Sequence, residues 1–255
     1  MRIVLRELKS PEEFRETEEI SKTAWRFTDR AVSPASDLIA TTHSGGLTAA
    51  AFEGRAMLGF VHGVPRTNRD EPCQHSHLLA VRPEAQGRGL SGQLKLFQRR
   101  WCLDHGIKLV TWTYDPFLLK NATLNIGKLR ATVANYLPNF YGLMGGIYGA
   151  IPTDRFEVTW RLDDPIVERA AEGHPLRVAD DPDAPVVTGT RVPNARRVVL
   201  PFPAGAPRIY ETDPEGCVAA RKRFRRVADA LFAKGFEVIG VAVRESGPVY
   251  ILERR

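Results

Sequence analysis

Cysteine is scarce in this sequence, and long hydrophobic runs are missing from it. The three cysteines, Cys73, Cys102 and Cys217, are an odd number without metal-ligand spacing, which argues against a disulfide framework and a zinc motif. No apolar run approaches the ~20 residues that span a bilayer, and Met1 leads into a charged strand pattern rather than a signal peptide. We therefore expect reduced thiols in a cytoplasmic protein that does not contact a membrane.

Internal repeats and low-complexity tracts are also missing, so we expect an ordinary globular fold. The formal net charge of +6 permits an anionic ligand or nucleic acid and does not choose between them. The chain has 255 residues, of which 43% are hydrophobic and 26% are charged. That length suffices for one good core, or for one core and a smaller companion domain.

What is present is an alternation of strand and helix patterns. Ser10, Pro11 and Glu13 form a capping box that begins a helix extending towards Trp25. In the remainder of residues 1–72 the sequence predicts a strand at 2–8, a helix at 34–42, strands at 47–52 and 55–64, and a polar loop at 65–72. Further along we expect a helix from Leu90, strands at 107–114, 133–141 and 156–162, and a helix at 121–130. In the helix from Leu90, Lys95 lies off the apolar stripe.

The composition changes at Asp163, beyond which the chain is rich in Pro, Asp and Ala. This change predicts a first domain at 1–163, an extended connector at 164–195 and a smaller C-terminal α/β extension at 196–255. In the extension we expect a strand at 197–201, a helix at 214–234 and strands at 237–244 and 249–253.

The stretch HSHLLAVRPEAQGRGLSGQL, from His75 to Leu94, carries the most informative motif. Gly87 and Gly89 lack side chains, so the backbone around them can curl closely about a ligand. The helix that follows begins with N–H groups that have no intrahelical partner, and together with Arg88 these predict an anion site that suits a diphosphate. The alternative is a tight connection between a strand and a helix without a ligand.

This motif, in this order of elements, resembles the GNAT superfamily of acyl-CoA-dependent N-acyltransferases over about residues 2–162. The segments WTYDP, NATLN and PTDRF resemble a bacterial branch of predicted acetyltransferases that carries an extra C-terminal region. The resemblance implies a mixed, mostly antiparallel sheet flanked by helices, with acetyl-CoA or another acyl-CoA as co-substrate and no metal. The pantetheine arm would pair with the backbone of Leu79 and Val81. The pyrophosphate would be held by Gln86, Gly87, Arg88, Gly89, Leu90 and Ser91.

The histidines His75 and His77 are candidates for removing the proton of an amine nucleophile. Two residues apart on a strand, their rings project from one face, where they can share a water and relay a proton. The segment HSHLLAV also resembles the H-x-H-x-L-A-V strand of arylalkylamine N-acetyltransferases, which implies the same role. The alternative is that both imidazoles are half-buried strand residues without a function.

The acid that protonates the departing thiolate is less well defined. In many GNAT enzymes a tyrosine has this role, and Ile126 occupies its position here. Tyr136 or Tyr141 is a possible replacement, and we include Tyr141 among the candidate catalytic residues. Asp115 is a rival base or a group that orients a histidine, and its alternative role is to cap the Asp-Pro turn.

Three further polar positions have a functional and a structural interpretation. Asn121 opens a helix where the resemblance implies a contact with the coenzyme arm, and it is also a candidate N-cap. Arg155 and Lys128 are possible partners of a substrate carboxylate, although each alone is more typical of a surface ion pair. The run RKRFRR, from Arg221 to Arg226, predicts a helix whose cations face outward, and we do not expect nucleic acid to bind there.

The function expected from these residues is N-acylation of a small molecule such as an amino acid. An acetyl or succinyl group would move from coenzyme A to the amine by direct attack in a ternary complex, because Ser91 and Cys102 show no nucleophile-and-base arrangement. The alternative is a GNAT-shaped module that binds acyl-CoA without catalysis. A homodimer stays open.

Overall fold

The structure, a computed structural model, describes residues 2–68, 71–146, 149, 151–174, 178–203 and 212–255. By their contacts the residues group into two compact units. The first unit is Met1–Trp112 with Gly145–Ile147, and the second is Thr113–Met144 with Tyr148–Arg255. This grouping describes packing, and the domain boundaries expected after residues 163 and 195 stay predictions.

The first unit is a sheet with helices on both faces. Its strands are ordered β1-β2-β3-β4-β5, and all neighbours are antiparallel except the parallel pair β4 and β5. The helices α1 and α2 pack on one face through Phe14, Ile20 and Leu38, and α3 packs on the other through Leu90 and Leu94. The elements are β1 (Ile3–Glu7), α1 (Pro11–Trp25), α2 (Ala35–His43), β2 (Leu47–Glu53), β3 (Ala56–Asn68), β4 (Glu71–Val81), α3 (Leu90–Asp104) and the start of β5 (Leu109–Tyr114).

The capping box at the start of α1 forms as predicted, with one change of partner. The Ser10 hydroxyl accepts a hydrogen bond from the Glu13 N–H at 3.4 Å. The Glu13 carboxylate accepts from the Lys9 N–H at 2.7 Å, one residue before the cap. Both bonds satisfy backbone donors that a helix start leaves without partners.

The polar loop predicted at 65–72 is wrong in most of its length. Strand β3 continues to Asn68 and β4 begins at Glu71, with Pro65 opposite Gln74 and Arg66 opposite Cys73. These residues are polar because the hairpin extends into solvent, while their backbones remain paired. Residues 69 and 70 lie outside the described part of the chain.

The second unit contains five strands in the order β7-β6-β9-β10-β8, with antiparallel pairing described for each neighbouring pair. Its C-terminal strands and long helix agree with the predicted extension within two residues at each end. The elements are α4 (Leu119–Ala122), a π-helical turn (Thr123–Lys128), β6 (Thr132–Leu137), β7 (Arg155–Arg161), α5 (Pro165–Ala171), β8 (Arg197–Pro201), α6 (Pro214–Phe232), β9 (Phe236–Arg244) and β10 (Gly247–Arg254).

Three predictions for this unit need correction. The helix expected at 121–130 is a short α-helix that continues as a π-helical turn, in which the Leu129 N–H donates to the Leu124 carbonyl at 2.9 Å. The strand expected at 133–141 ends at Leu137, because Pro138 follows and Asn139 has a left-handed φ of 45°. The connector expected to be extended begins with α5, which the Asp164 carboxylate caps at the Ile166 N–H.

Candidate functional site

The predicted diphosphate loop lies between the end of β4 and the start of α3. Gly87 and Gly89 have φ values of 85° and 76°, a region that favours glycine over residues with a side chain. Gly89 is the N-cap of α3 and supplies no side-chain cap. The helix's N–H groups at Leu90 and Ser91 therefore have no intrahelical acceptor and can donate to an anion.

The space around the two glycines of this loop is open. A Cβ added at Gly87 would meet no atom within 4 Å, and at Gly89 it would meet only the Gln93 side chain at 4.0 Å. The Gln86 amide donates to the Val81 carbonyl at 3.3 Å, which ties the loop to the strand end. Arg88 pairs with the Glu53 carboxylate at 2.6 Å, so backbone N–H groups rather than a solitary arginine define the anion site.

The edge of β4 that faces β5 loses its partner partway along the strand. Parallel pairing covers Cys73 to His75 and ends at the pair His75–Thr111. On the β3 side, His62 lies opposite Leu78 while Gly63 lies opposite Ser76, so His77 is the extra residue of a β-bulge. Pairing with β3 resumes after the bulge, whereas the described pairing with β5 does not, so the β5-facing edge of β4 near Leu79 and Val81 can pair with an extended ligand as a further strand.

The two predicted histidines do lie together on one face of β4. The ring centroids of His75 and His77 are 6.2 Å apart, which leaves room for one bridging water between them. The Nδ1 atom of His75 lies 3.2 Å from the Thr111 hydroxyl, and His77 is exposed. The spacing expected from the sequence is therefore present, and their catalytic role stays a prediction.

Sequence reasoning missed a third histidine, His62 of β3. Its ring centroid lies 6.5 Å from that of His77, and its side chain is buried. The signal in the sequence is weak, because FVHGV shows only a single imidazole within an apolar strand. The pairing of β3 with β4 brings it to the histidine pair, and we refer to His62, His75 and His77 as the histidine cluster.

A chain of hydroxyl groups fixes the orientation of His62. The Thr42 hydroxyl donates to the Leu38 carbonyl at 2.8 Å and lies 2.7 Å from the Thr48 hydroxyl, which is 2.9 Å from His62 Nδ1. Each hydroxyl has one proton, so all three bonds form only if Thr48 donates to Thr42 and His62 Nδ1–H donates to Thr48. This assigns the proton of neutral His62 to Nδ1 and leaves Nε2 as an acceptor.

The electrostatics keep the histidine cluster neutral at pH 7. Burial, reinforced by the charges of His77, Arg66 and Lys95, lowers the pKa of His75 to about 4. Burial and His77 lower the pKa of His62 to about 4, and partial burial lowers the pKa of His77. Each neutral imidazole therefore has a lone pair available for a proton at neutral pH, and His75 titrates well below the ordinary imidazole value of ~6.5.

Asp115, a candidate base, lies in the second unit as part of a buried ion cluster. Its carboxylate lies 2.7 Å from Arg221 Nη2 and 3.8 Å from Arg155 Nη1. It also accepts a hydrogen bond from the Phe117 N–H at 2.9 Å, which is the turn-capping alternative. The contacts of Asp115 support a structural role, and they offer nothing for its predicted role as a base.

Arg221 and Arg155 correct two expectations about charge. The cations of the basic helix were expected to face outward, yet the Arg221 side chain is 2% exposed and its guanidinium lies 4.5 Å from the centroid of the Phe117 ring. Arg155 was expected as a surface ion pair and is 4% exposed. Lys222, Arg223 and Arg226 are exposed, as the stripe predicts.

The two candidate tyrosines have different environments in the second unit. The Tyr136 hydroxyl donates to Asp154 at 2.6 Å, and burial followed by the Asp154 charge raises its pKa. Tyr141 is 38% exposed, and its hydroxyl lies 3.3 Å from that of Thr113. Tyr136 is thus committed to a buried carboxylate, whereas Tyr141 stays a candidate acid.

Asn121 does not open its helix, and the predicted N-cap is therefore wrong. The N-cap of α4 is Leu118, and Asn121 is the third residue of the helix. Ile126, at the position where the resemblance expects a tyrosine, is fully buried. A contact between Asn121 and the coenzyme stays a prediction.

Other classes of site are not found in the described part of the chain. There, no group of three or more His, Cys, Asp or Glu side chains could hold a metal ion. Nor does any described helix combine the length and apolar character needed to cross a membrane. The three cysteines are buried free thiols.

Comparison with known proteins adds to this geometry. Residues 5–120 match the family model described as Acetyltransferase (GNAT) family, and no curated protein sequence matches the chain. Several solved structures are similar to this chain. A chain of the NatC complex bound to Gag peptide and CoA is 12% identical with a TM-score of 0.52, and the match covers 63% of this chain and 99% of that one. Aminoglycoside 6′-acetyltransferase type Ii is 14% identical with a TM-score of 0.50, covering 63% of this chain and 98% of its own. The ribosomal-protein-S18-alanine N-acetyltransferase from Escherichia coli is 14% identical with a TM-score of 0.51, covering 64% of this chain and 96% of its own.

At these identities the likeness concerns the fold. The predicted fold is confirmed: a mixed, mostly antiparallel sheet flanked by helices, with additional strands and a helix at the C-terminal end.

Proposed function

Residues 5–120 of this chain belong to the acetyltransferase (GNAT) family, and from this premise we propose that the protein transfers an acyl group from acyl-coenzyme A to the amine of a small molecule. The observation that carries the proposal is the combination found on β4. One strand presents neutral imidazoles on its face, an unpaired edge beyond His75, and a glycine loop at its end.

Acyl-coenzyme A would supply a thioester whose carbonyl carbon is open to attack by an amine. The N–H groups of the Gly87–Ser91 loop would hold the diphosphate, and the edge of β4 at Leu79 and Val81 would hold the extended arm. Because both elements belong to a single strand–loop–helix segment, they fix the position of the reacting carbon relative to His75 and His77. Orientation of two substrates in this way accounts for much of the acceleration in ternary complexes.

The histidine cluster would remove the amine proton. An alkylammonium with a pKa near ~10.4 is neutral in only about one molecule per thousand at pH 7, so a base near the attacking nitrogen raises the rate. His77, the exposed member of the cluster, would take the proton as the nitrogen bonds to the acyl carbon and pass it to water or to His75. The lowered pKa values keep the cluster ready for this step, because each imidazole is neutral at pH 7 and has one unprotonated ring nitrogen.

An acyl-enzyme is not part of the proposal. The thiol within α3, Cys102, is buried, and burial raises its pKa to about 12. At neutral pH such a thiol provides almost no thiolate. Direct attack by the amine is therefore the simpler route.

The acceptor and the acyl group are proposed at the level of class. We favour a small amine, such as an amino acid, with acetyl or succinyl as the group transferred. The similar structures include one enzyme named for an aminoglycoside and one named for a ribosomal protein, so the fold leaves the size of the acceptor open. We also propose a cytoplasmic location, which suits three free thiols.

A second candidate is a module that binds acyl-coenzyme A without turnover. The full burial of Ile126 favours it, because an apolar residue there supplies no acid to the leaving sulfur. Release of free thiol from acetyl- or succinyl-coenzyme A on addition of an amine panel separates the two. Binding without amine-dependent release would support the module.

The placement of the coenzyme is tested by Gly89→Glu. The glutamate adds bulk and negative charge where a phosphate would lie, and we expect coenzyme affinity to fall at least 100-fold, an effect of about 2.7 kcal/mol. Gly106→Glu is the matched control, since Gly106 has a φ of 73° and open space around it but follows the far end of α3. Unchanged affinity in folded Gly89→Glu would contradict the placement.

A further inference from the structure

A lysine with no assigned role lies beneath β4. Lys95, the sixth residue of α3, is 1% exposed, although the sequence places it off the apolar stripe. Its Nζ atom donates to the Gln98 side-chain carbonyl at 2.7 Å and to the Ser76 hydroxyl at 3.0 Å. It also lies 3.8 Å from the centroid of the Trp112 ring. These three partners are electrically neutral.

The position of Lys95 coincides with the end of pairing between β4 and β5. The last pair is His75 with Thr111, and the next residue on each strand, Ser76 and Trp112, is the one that Lys95 contacts. The amine therefore bridges the two strands immediately after their last pair. In the proposed function, this is where the thioester end of the coenzyme arm would meet the edge of β4.

Lys95 and the histidine cluster lie on opposite sides of β4. Ser76 contacts α3, whereas the rings of His75 and His77, on either side of it in sequence, lie near each other on the opposite face. A thioester at the edge of the strand would have imidazoles on one side and the amine on the other. The two groups are placed for different tasks, one for the amine proton and one for the leaving sulfur.

Burial of the Lys95 amine is energetically unfavourable, and it makes the protonation state of the amine sensitive to nearby charges. Burial lowers the pKa of Lys95 to about 7, so the charged and neutral forms are both populated near neutral pH. A negative charge nearby would favour the protonated form, because Coulomb attraction is strong where water is excluded. An apolar side chain of similar length would pack in the same space without this property.

We infer that Lys95, acting through the Ser76 hydroxyl, stabilises the negative charge on the coenzyme sulfur as the carbon–sulfur bond breaks. The inference rests on the proposed function. The amine nitrogen forms the new bond to the acyl carbon, the electron pair of the carbon–sulfur bond goes to sulfur, and the amine proton goes to the histidine cluster and then to water. In the structure the Ser76 hydroxyl accepts from Lys95 and donates its single proton to the Gln98 side-chain carbonyl at 3.0 Å. In the step inferred here Ser76 would turn that proton from Gln98 to the sulfur, while Gln98 keeps its hydrogen bond from Lys95. Lys95 is therefore a positioning residue that acts through Ser76. It stabilises the charge of the leaving sulfur, which the apolar side chain of Ile126 cannot do.

The test compares binding of coenzyme A with binding of desulfo-coenzyme A, which has hydrogen in place of the thiol. Titration calorimetry from pH 6 to 9 gives the ratio of the two affinities, and ultraviolet absorbance of the bound thiolate gives its pKa. For the wild-type protein we expect a preference for coenzyme A and a pKa of the bound thiol below that of free coenzyme A. In Lys95→Met the preference should fall about 10-fold or more, with the affinity for desulfo-coenzyme A unchanged.

Two control variants keep the outcomes distinct. Ser76→Ala removes the hydroxyl and should reduce the same ratio, which covers the case in which Lys95→Met does not fold. Cys217→Ala alters a buried thiol of the second unit and should leave the ratio unchanged. A wild-type ratio in folded Lys95→Met and in Ser76→Ala would overturn the inference. Failure of the wild-type protein to bind either ligand would instead contradict the proposed function.

Discussion

Each unit of this protein buries titratable side chains, and the two groups are built differently. In the second unit, the carboxylate of Asp115 lies against the guanidinium groups of Arg221 and Arg155, so opposite charges compensate each other. In the first unit, the described partners of Lys95 and the histidine cluster are hydroxyls, an amide and aromatic rings. A buried pair of opposite charges, as in the second unit, is typical of a structural site. Titratable groups with strongly lowered pKa values, as in the first unit, are typical of a catalytic or binding site.

The largest effect should come from breaking the ion pair in the second unit. Arg221→Met leaves Asp115 buried beside one fewer cation, and we expect a loss of about 3–5 kcal/mol in the free energy of unfolding, measured with urea. Arg223→Met, at an exposed position two residues along the same helix, should change stability by less than about 0.5 kcal/mol. A loss under about 1 kcal/mol in Arg221→Met would mean that the cluster does not hold this unit together.

The pH dependence of stability should distinguish Lys95 from ordinary lysines. Its pKa is about 7 in the folded protein and near ~10.4 when unfolded, so between these values the unfolded chain binds more protons and stability rises with pH. From pH 7 to 9 the rise attributable to Lys95 should be about 2 kcal/mol. Urea unfolding of the wild type and of Lys95→Met at both values measures it. Equal slopes in the two proteins would show that the amine is not desolvated.

The smallest of these effects should come from the hydroxyl chain behind His62. Thr48→Val keeps the shape of the side chain but removes the acceptor for His62 Nδ1–H, and we expect a loss of about 1 kcal/mol in the free energy of unfolding. Thr23→Val, an exposed hydroxyl of α1, is the control and should cost less. If Thr48→Val lowered the free energy of unfolding as much as Arg221→Met, the neutral hydrogen bonds of the first unit would contribute as much to stability as the ion cluster of the second, contrary to this comparison.

The parts of the site that the sequence predicted are local in the chain. The glycine loop, its helix and the spacing of His75 and His77 all lie between His75 and Asp104, where periodicity and special residues act directly. His62 was missed because its place depends on the register of β3 against β4. The burial of Lys95 was missed because its partners include Ser76 on one strand and Trp112 on another, and no helical pattern contains that information.

In the second unit, too, the sequence did not predict the contacts that charged residues make. The spacing in RKRFRR identified the apolar stripe of α6, yet Arg221 lies beside that stripe and pairs with a carboxylate 106 positions away. The π-helical turn after α4 also has no local sequence signature beyond Gly127. For this reason the helix expected at 121–130 differs in type and bounds from the observed one. Pattern reasoning thus predicted the elements of this unit better than the contacts of its charged residues.

The account's central claim is that the histidine pair removes the amine proton while a separate loop holds the coenzyme. The most direct test measures two quantities on His75→Ala/His77→Ala at pH 7: coenzyme A affinity by calorimetry, and amine-dependent thiol release from acetyl-coenzyme A or succinyl-coenzyme A. We predict unchanged affinity with turnover reduced about 100-fold or more, and partial recovery at high pH, where more of the amine is already neutral. Near-normal turnover in the double variant would contradict the account.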